Sequence, residues 1–218
     1  MEKTFCKTHT SGARKLRNVL IAGAAGFLGS HLAESHLKDG DRVVGIDNFC
    51  TGSVSNIEIL SSYTNFKFHE QDVCEIDTSH FQTDLDYIYH LASPASPPKY
   101  MKLAEETMWV NSIGTRKLAE LASTKDARIL FASTSEIYGD PEIHPQPEEY
   151  WGNVNPIGPR SVYDEAKRFG ETILSFLKRE RALNAVIVRI FNTYGPRMDP
   201  FDGRVVSVSY THLTLPTI

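Results

Sequence analysis

Residues 23–29, with the sequence GAAGFLG, decide the fold of this chain. They follow an apolar, strand-like run, Asn18 to Ala22, and lead into a stretch of helical period, Phe27 to Lys38. A glycine-rich turn between a strand and a helix reverses the chain tightly and lets backbone N–H groups approach a pyrophosphate. The sequence therefore predicts a dinucleotide-binding unit, although a purely structural turn would show the same glycines.

Beyond this turn, short β-branched runs alternate with longer helical stretches, a pattern typical of βαβ units. We predict an α/β fold, a doubly wound parallel (Rossmann) sheet whose ligands bind beyond the carboxyl ends of its strands. The predicted strands are Asn18 to Ala22, Arg42 to Ile46, Asn65 to His69, Tyr87 to Leu91, Arg128 to Ala132 and Ala185 to Phe191. The predicted helices are Phe27 to Lys38, Leu103 to Ser123 and Ser161 to Arg181, and residues 140–160 are predicted to form a long irregular loop.

Composition narrows the class of protein. The 218 residues are 41% hydrophobic and 23% charged with a net charge of −4, which excludes a disordered or fibrous chain and corresponds to about one and a half domains. The first 17 residues hold five basic side chains against one acidic, so the remaining body is acidic and we expect no nucleic-acid partner. No apolar run is long enough to span a membrane. Three cysteines without CxxC spacing favour a reducing, cytoplasmic compartment and predict no metal site.

An acidic residue at the end of the second strand indicates which dinucleotide binds. Asp47 lies about 20 residues after the turn, where a carboxylate can accept hydrogen bonds from a ribose diol and repel a 2′-phosphate. No Lys or Arg lies between Asp47 and Ile57, so NAD is favoured over NADP. Asp72 and Val73 follow the third strand and are placed to meet the adenine, although Asp72 could equally be a plain loop carboxylate.

Candidate catalytic groups lie on the last predicted helix and at the end of the fifth strand. Tyr163 and Lys167 are four residues apart, so their side chains share one helix face. A lysine ammonium favours the phenolate, which would help a tyrosine to act as a base near neutral pH. A surface tyrosine and lysine would give the same spacing. The fifth strand leads into Thr134, Ser135 and Glu136, which deliver two hydroxyls and a carboxylate at the strand's carboxyl end.

The chain resembles the extended short-chain dehydrogenase/reductase family, and within it the nucleotide-sugar decarboxylases. The stretches that carry the resemblance span residues 19–207 and read GAAGFLGSHL, DNFCTG, HLASPASPP, NSIGT, STSEIYGDPEIHPQ, YWGNVNPIGPR, YDEAKR and RIFNTYGPRMDPFDGRVVS. HLASPASPP and the proline-rich loop are the parts most particular to the decarboxylases. The other stretches are shared with nucleotide-sugar epimerases and dehydratases.

The resemblance implies an activity, the NAD-dependent decarboxylation of UDP-glucuronate to UDP-xylose through a 4-keto intermediate. Tyr163, assisted by Lys167 and Thr134, would remove the proton of the C4 hydroxyl, and Glu136 with Ser135 would orient the ring and manage the proton returning to C5. Dehydratases of the family typically carry an aspartate where this chain has Ser135, and a second anion there would repel a substrate carboxylate. The alternatives are a nucleotide-sugar 4-epimerase or 4,6-dehydratase, or an inactive NAD-binding fragment.

The resemblance also carries over binding positions and a partner. We expect a UDP-sugar substrate and a homodimer of the full-length protein, formed by packing Leu103 to Ser123 and Ser161 to Arg181 into a four-helix bundle. The implied substrate contacts are Asn192, Arg204 and Ser207. The implied dinucleotide contacts are Gly23, Gly26, Phe27, Leu28, Gly29, Asp47, Asn48, Thr51, Gly52, Asp72, Val73, Leu91, Ser93, Tyr163, Lys167 and Thr193.

The chain departs from the family pattern at two places. Many decarboxylases carry a lysine where this chain has Trp109, which indicates either a helix-buried tryptophan or an altered sugar preference. Residues 208–218 are uncharged and strand-like, unlike the family's substrate domain, so we expect an atypical tail from another reading frame or an assembly junction, and hence a fragment. The predicted division is a basic disordered tail at 1–17, an NAD-binding domain at 18–191, the start of a substrate domain at 192–207 and that atypical tail.

Overall fold

The computed structural model describes residues 14–78, 81 and 83–204. Its strands are β1 (Asn18–Ala22), β2 (Arg42–Asp47), β3 (Phe66–Glu70), β4 (Tyr87–His90), β5 (Arg128–Thr134) and β6 (Ala185–Ile190). Its helices are α1 (Phe27–Lys38), α2 (Val54–Leu60), α3 (Pro97–Lys102), α4 (Ala104–Trp109), α5 (Thr115–Thr124) and α6 (Ser161–Arg181), with a π-helical segment at Val110–Gly114 between α4 and α5.

The six strands form one parallel sheet in the order β3-β2-β1-β4-β5-β6. The strand order reverses between β1 and β4, where Leu20 lies beside Ile88. In doubly wound sheets, ligands bind in the crevice at such a reversal, beyond the carboxyl ends of the strands. The predicted fold class is therefore confirmed, and the topology locates the expected site.

Helices cover both faces of the sheet because its central strands are apolar on both sides. On one face, Leu20 of β1 and Phe131 of β5 pack against residues of α5 and α6 such as Leu118 and Leu174. On the other face, Ile21 of β1 packs among residues of α1 and α2. Alternate residues of β1 thus belong to different core clusters, as the two-residue period of a strand requires.

Each of the six predicted strands is present with ends within two residues of the expected ones, but two helices were not predicted. Helices α2 and α3 have seven and six residues, which is too short to show a sustained helical period. Asn56 of α2 donates its side-chain amide to the Ala25 carbonyl at 2.8 Å. The unpredicted α2 therefore supports the glycine turn.

The predicted helix Leu103 to Ser123 is divided by the π-helical segment. That segment carries Asn111, whose side-chain amide donates to Ser93 Oγ at 2.9 Å and to the Thr107 carbonyl at 2.8 Å. π-helical turns often occur at functional sites, and this one connects the helix to the chain directly after β4. A Cβ on Gly170 of α6 would lie 2.6 Å from the Phe131 ring and 3.1 Å from the Asn111 carbonyl oxygen, so a glycine allows α6 to pack closely here.

Residues 14–17, the described part of the predicted basic tail, pair with acidic residues of the body. Arg14 lies 2.9 Å from Asp41, and Lys15 lies 3.2 Å from Asp86. The backbone N–H of Arg17 donates to Asp41 at 3.0 Å. The predicted domain boundaries stay predictions, and residues 1–13 and 205–218 lie outside the described residues.

Candidate active site

A cavity of about 1170 Å³ lies beyond the carboxyl ends of β1, β4, β5 and β6. Most of the predicted site residues line it together: Gly23, Gly26, Phe27, Leu28, Gly29, Thr51, Gly52, Leu91, Ser93, Thr134, Ser135, Glu136, Tyr163, Lys167, Asn192, Thr193 and Arg204. Four predicted residues, Asp47, Asn48, Asp72 and Val73, are not part of its lining. Ser207 lies outside the described residues.

The glycine turn leaves the start of α1 open toward this cavity. Gly23 has a φ of +89°, which a residue with a side chain rarely adopts, and a Cβ on Gly29 would lie 1.9 Å from the Gly23 carbonyl oxygen. Gly26 caps α1 without a side-chain hydrogen bond, and the first turn of α1 holds no acidic residue. The first N–H groups of a helix have no partner within it, so this end of α1 suits an anion such as a pyrophosphate.

Asp47 is buried at the end of β2 behind the turn. One of its carboxylate oxygens accepts from the Ala25 N–H at 3.0 Å, and the other accepts from the Phe49 N–H at 2.9 Å. Burial raises its pKa, while these backbone hydrogen bonds lower it in part. Each carboxylate oxygen keeps a second lone pair, so Asp47 can still accept from a ribose hydroxyl.

Asn48 and Asp72 are joined to one another outside the cavity. The side-chain amide of Asn48 donates to one Asp72 oxygen at 2.9 Å, and the other Asp72 oxygen accepts from the Cys74 N–H at 2.7 Å. The roles of Asp72 and Val73 beside an adenine stay predictions.

Tyr163 and Lys167 lie side by side on α6 and are almost fully buried. Lys167 Nζ donates to the Ala132 carbonyl at 2.7 Å and lies 5.8 Å from the centroid of the Tyr163 ring. Burial lowers the pKa of Lys167 to about 7 and raises the pKa of Tyr163 to about 12, against a hydrogen bond with Thr134 that lowers it. The pKa of Tyr163 thus moves opposite to the expected direction, because burial outweighs the hydrogen bond with Thr134.

Two residues that the sequence did not assign surround this pair. Tyr100 of α3 stacks on Tyr163, with ring centroids 4.6 Å apart and planes within 4°. Arg160 caps the start of α6, lines the cavity and forms an ion pair with Glu136. Arg160 ends one of the stretches that carried the family resemblance, and Tyr100 lies two residues after another. Neither Tyr–Tyr stacking nor an ion pair between distant residues leaves a period in the sequence.

The start of the predicted substrate domain also closes one side of the cavity. Lys99 of α3 lies 2.6 Å from Asp199, and Arg197 lies 2.5 Å from Glu34 of α1. Arg197 also donates to the Ser30 carbonyl at 3.2 Å. These contacts hold residues 192–204 against α1 and α3.

The long loop at 140–160 is held at its base by two arginines. Arg189 of β6 makes two hydrogen bonds to Glu171 of α6, at 2.9 and 3.1 Å, and one to the Glu148 carbonyl at 2.7 Å. Glu171 also accepts from Ser133 at 2.5 Å. Arg168 donates to the Trp151 carbonyl at 2.6 Å. The loop is therefore tied both to α6 and to the strand end that precedes Thr134.

Trp109 is not the buried tryptophan that one interpretation expected. Its side chain is 46% exposed, its indole N–H donates to Glu105 at 3.1 Å, and it does not line the cavity. That interpretation is wrong because Trp109 is the last residue of α4 and lies on an exposed face of the helix.

Two further properties concern the part of the chain that the structure describes. Within residues 14–78, 81 and 83–204, no helix is long and apolar enough to cross a membrane. Over the same residues, no group of three His, Cys, Asp or Glu side chains is arranged to hold a metal ion.

The amino-acid sequence of this chain is similar to those of known proteins. The NAD dependent epimerase/dehydratase family model matches residues 19–214. The UDP-glucuronic acid decarboxylase 1 of Xenopus tropicalis is 50% identical over 88% of this chain and 44% of its own length. The UDP-glucuronic acid decarboxylase 3 of Arabidopsis thaliana is 50% identical over 87% of this chain and 54% of its own length. The chain thus spans about half the length of the curated relatives it matches.

A solved structure provides a third comparison. The UDP-glucuronic acid 4-epimerase of Bacillus cereus, in complex with UDP-glucuronic acid and NAD, superposes with a TM-score of 0.73 at 31% identity. The superposition covers 84% of this chain and 59% of that one.

Proposed function

Since the chain belongs to the NAD dependent epimerase/dehydratase family, we propose that the protein decarboxylates UDP-glucuronate to UDP-xylose with NAD as its cofactor. The observation that carries this proposal is one cavity shared by the glycine turn, Thr134, Ser135, Glu136, Tyr163 and Lys167. Relatives at about 50% identity are named decarboxylases, which favours this reaction over epimerisation.

The residues present fit an NAD molecule. The open N-terminus of α1 would hold the pyrophosphate, and Asp47 would accept from the adenosine ribose. Leu91 and Ser93 follow β4, and Tyr163, Lys167 and Thr193 border the same cavity, where they would contact the nicotinamide half. When bound, NAD⁺ supplies a hydride acceptor for C4 of the sugar and later returns that hydride.

Tyr163 would act as the base that takes the proton from the C4 hydroxyl. Burial disfavours its phenolate, whereas the hydrogen bond with Thr134 favours it. The Lys167 ammonium, with Nζ 5.8 Å from the Tyr163 ring centroid, would also favour a negative charge there. A phenolate and an ammonium formed together compensate one another better than either charge alone in the buried site. The stacked Tyr100 ring excludes water from one face of Tyr163, which strengthens these interactions.

Once C4 is a ketone, the sugar is a β-keto acid, and the bond to its carboxylate can break because the ketone accepts the electron pair. Carbon dioxide leaves, and a proton is added at C5. Glu136 lines the cavity, where it can donate this proton to C5, and Ser135 beside it is neutral. A neutral neighbour avoids repulsion between a second acid and the substrate carboxylate.

The reaction is tested with UDP-glucuronate that carries ¹³C at C6. We expect the full-length protein that contains this chain, supplied with NAD⁺, to release labelled CO₂ and form UDP-xylose. Formation of UDP-galacturonate with retention of the label would instead identify a 4-epimerase. Loss of water from dTDP-glucose, without CO₂ release from UDP-glucuronate, would identify a dehydratase and contradict the proposal. Binding of NAD without any turnover would identify a binding protein.

We also propose a homodimer and a cytoplasmic location. Phe169 and Phe176 lie seven residues apart on α6 and are exposed, as are Trp109 and Ile113 on the neighbouring helical segments. Exposed apolar residues on adjacent helices support a helix-to-helix interface. The reducing compartment is supported by Cys50 and Cys74, which are free thiols.

A further inference from the structure

The ion pair between Arg160 and Glu136 joins residues from two different segments of the chain. Glu136 follows β5, whereas Arg160 comes at the end of the long proline-rich loop. The backbone of Arg160 is fixed, because its carbonyl accepts from the Tyr163 and Asp164 N–H groups at 2.9 and 3.1 Å. Its side chain forms an ion pair with Glu136 and a hydrogen bond with Tyr100 at the cavity wall.

Arg160 is also the most exposed cation of the cavity lining. Its side chain is 51% exposed and that of Glu136 is 36% exposed. Lys167 is buried against a backbone carbonyl. The other cations that line the described cavity are less exposed than Arg160 and are paired with carboxylates: Lys99 with Asp199, Arg197 with Glu34 and Arg204 with Asp202.

Several charged and titratable groups lie near the Arg160 guanidinium, which lines the same cavity as Glu136 and Tyr163. Glu136 pairs with it directly. The charge of Arg160 lowers the pKa of Tyr100 and of Asp164, in both cases against the stronger effect of burial. Tyr100 stacks on Tyr163, so the guanidinium lies near the proposed catalytic tyrosine.

We propose that Arg160 is a specificity-determining residue that binds the carboxylate at C6 of the sugar, and that it exchanges Glu136 for this carboxylate when the substrate enters. This inference rests on the proposed function and adds the group that distinguishes a uronate from a neutral hexose. A guanidinium offers five N–H donors in a planar fork that matches a carboxylate. The arriving carboxylate carries the same charge and geometry as the side chain it displaces.

The exchange has a consequence for Glu136. The Glu136 carboxylate pairs with Arg160, and like charges would oppose the entry of a second carboxylate beside it. When Arg160 turns to the substrate, Glu136 becomes free to accept or deliver a proton. Substrate binding and the availability of the proton-handling group are therefore linked through one arginine.

The test measures binding of UDP-glucuronate and of UDP-glucose, which is neutral at C6, to the full-length protein in the presence of NAD. For Arg160→Gln we expect UDP-glucuronate to bind about 10- to 100-fold more weakly, as for loss of a charged hydrogen bond, while UDP-glucose binding changes less than about twofold. Arg160→Lys should restore part of the preference, because it keeps the charge but not the fork. Arg42→Gln, at an exposed arginine on the start of β2, should leave both affinities unchanged.

A second variant separates exchange from simple attraction. Glu136→Gln removes the competing carboxylate, so we expect UDP-glucuronate to bind about threefold or more tightly, with UDP-glucose unaffected. Weaker binding of UDP-glucuronate to this variant would contradict the exchange. An equal loss for both ligands in Arg160→Gln, or no loss, would contradict the role of Arg160.

Turnover by the wild-type protein keeps this inference distinct from the proposed function. If the wild type forms no UDP-xylose, but Arg160→Gln still abolishes its preference for UDP-glucuronate, the decarboxylase proposal fails and the binding role stands. If the wild type forms UDP-xylose and Arg160→Gln keeps the preference, the reverse holds. A wild type without preference for the uronate overturns this inference in either case.

Discussion

Burial shifts the pKa values of Tyr163 and Lys167 in opposite directions, because it disfavours the phenolate of one and the ammonium of the other. The pKa of Lys167 falls to about 7, so near neutral pH a small change in its surroundings decides whether it carries a proton. Tyr163 has a pKa of about 12, so its phenolate forms more readily when Lys167 is protonated and carries a positive charge nearby. The two residues are therefore expected to work only as a pair.

Replacing Tyr163 by phenylalanine removes the phenol and keeps the ring. We expect Tyr163→Phe to lower oxidation at C4 by about 10³-fold, within the range typical of general bases, while NAD binding is retained. The measurement is the NADH absorbance formed on mixing the NAD-loaded protein with UDP-glucuronate. Tyr63→Phe, at a tyrosine outside the cavity lining, is the matched control. A Tyr163→Phe rate within tenfold of the wild type would remove Tyr163 from the reaction.

His90 predicts how stability depends on pH. Burial lowers its pKa to about 3, and its Nε2 lies 3.1 Å from Thr115 Oγ1. The unfolded chain binds a proton at this residue below about pH 6.5 while the folded chain does not, so the free energy of unfolding falls as the pH is lowered from 6.5 toward 3.

We expect the loss to approach about 1.4 kcal/mol per pH unit between pH 6 and 5, above the range in which most carboxylates titrate. Urea unfolding at each pH measures it. His90→Gln should be less stable at pH 7 and should show a smaller pH slope. An unchanged slope in this variant would assign the effect to other groups.

At this scale the sequence predicted the identity of most cavity residues but not their electrostatics. The four-residue spacing of Tyr163 and Lys167 predicts a shared helix face, and the structure shows one. The direction of the Tyr163 pKa depends on burial by Tyr100 and the strand ends, which no local spacing records. The ion pair of Arg160 could not be predicted for the same reason, since its partner Glu136 lies 24 residues earlier in the sequence.

Among the elements, the strands were the most predictable. Buried parallel strands are continuous apolar runs, and β1 and β5 show this plainly. Helix α3 was missed because Pro97 and Pro98 open it. Proline is accommodated in the first turn of a helix but reads as a loop in the sequence. The π-helical segment was missed because an inserted residue barely alters an apolar period.

The ion pair between Glu171 of α6 and Arg189 of β6 holds the long loop in place, so its loss should lower the stability of the protein. Glu171 is largely buried, and an uncharged glutamine in its place would keep only one of the two oxygens that accept from Arg189 and would leave the guanidinium without its counter-charge. We expect Glu171→Gln to destabilise the protein by about 1–3 kcal/mol, measured by urea unfolding. Proteolysis should become faster within residues 140–160, since the loop is tied to Arg189. Glu165→Gln, at an exposed pair on the same helix, is expected to cost less than about 0.5 kcal/mol. Equal effects of the two variants would contradict this.

At the scale of the whole molecule, the proposed dimer can be tested by sedimentation. We expect the full-length protein to sediment as a dimer, and Phe169→Asp to sediment as a monomer with unchanged far-UV circular dichroism, because a carboxylate on that face of α6 would lose its hydration on association. Ile157→Asp places the same charge on an exposed loop residue and should remain dimeric. A wild type that sediments as a monomer at micromolar concentration would contradict the dimer.

The order of strands in the sheet has a consequence for how the chain folds. β1 pairs with β2, which lies close in sequence, but also with β4, where Val19 lies beside Tyr87. A chain that emerges from the ribosome can therefore form the β1-α1-β2 unit, and with it the glycine turn, from local contacts alone. The proposed catalytic residues come together only after β4, β5 and α6 have been synthesised. A nascent chain thus acquires its phosphate-binding turn well before the residues that would use the cofactor chemically.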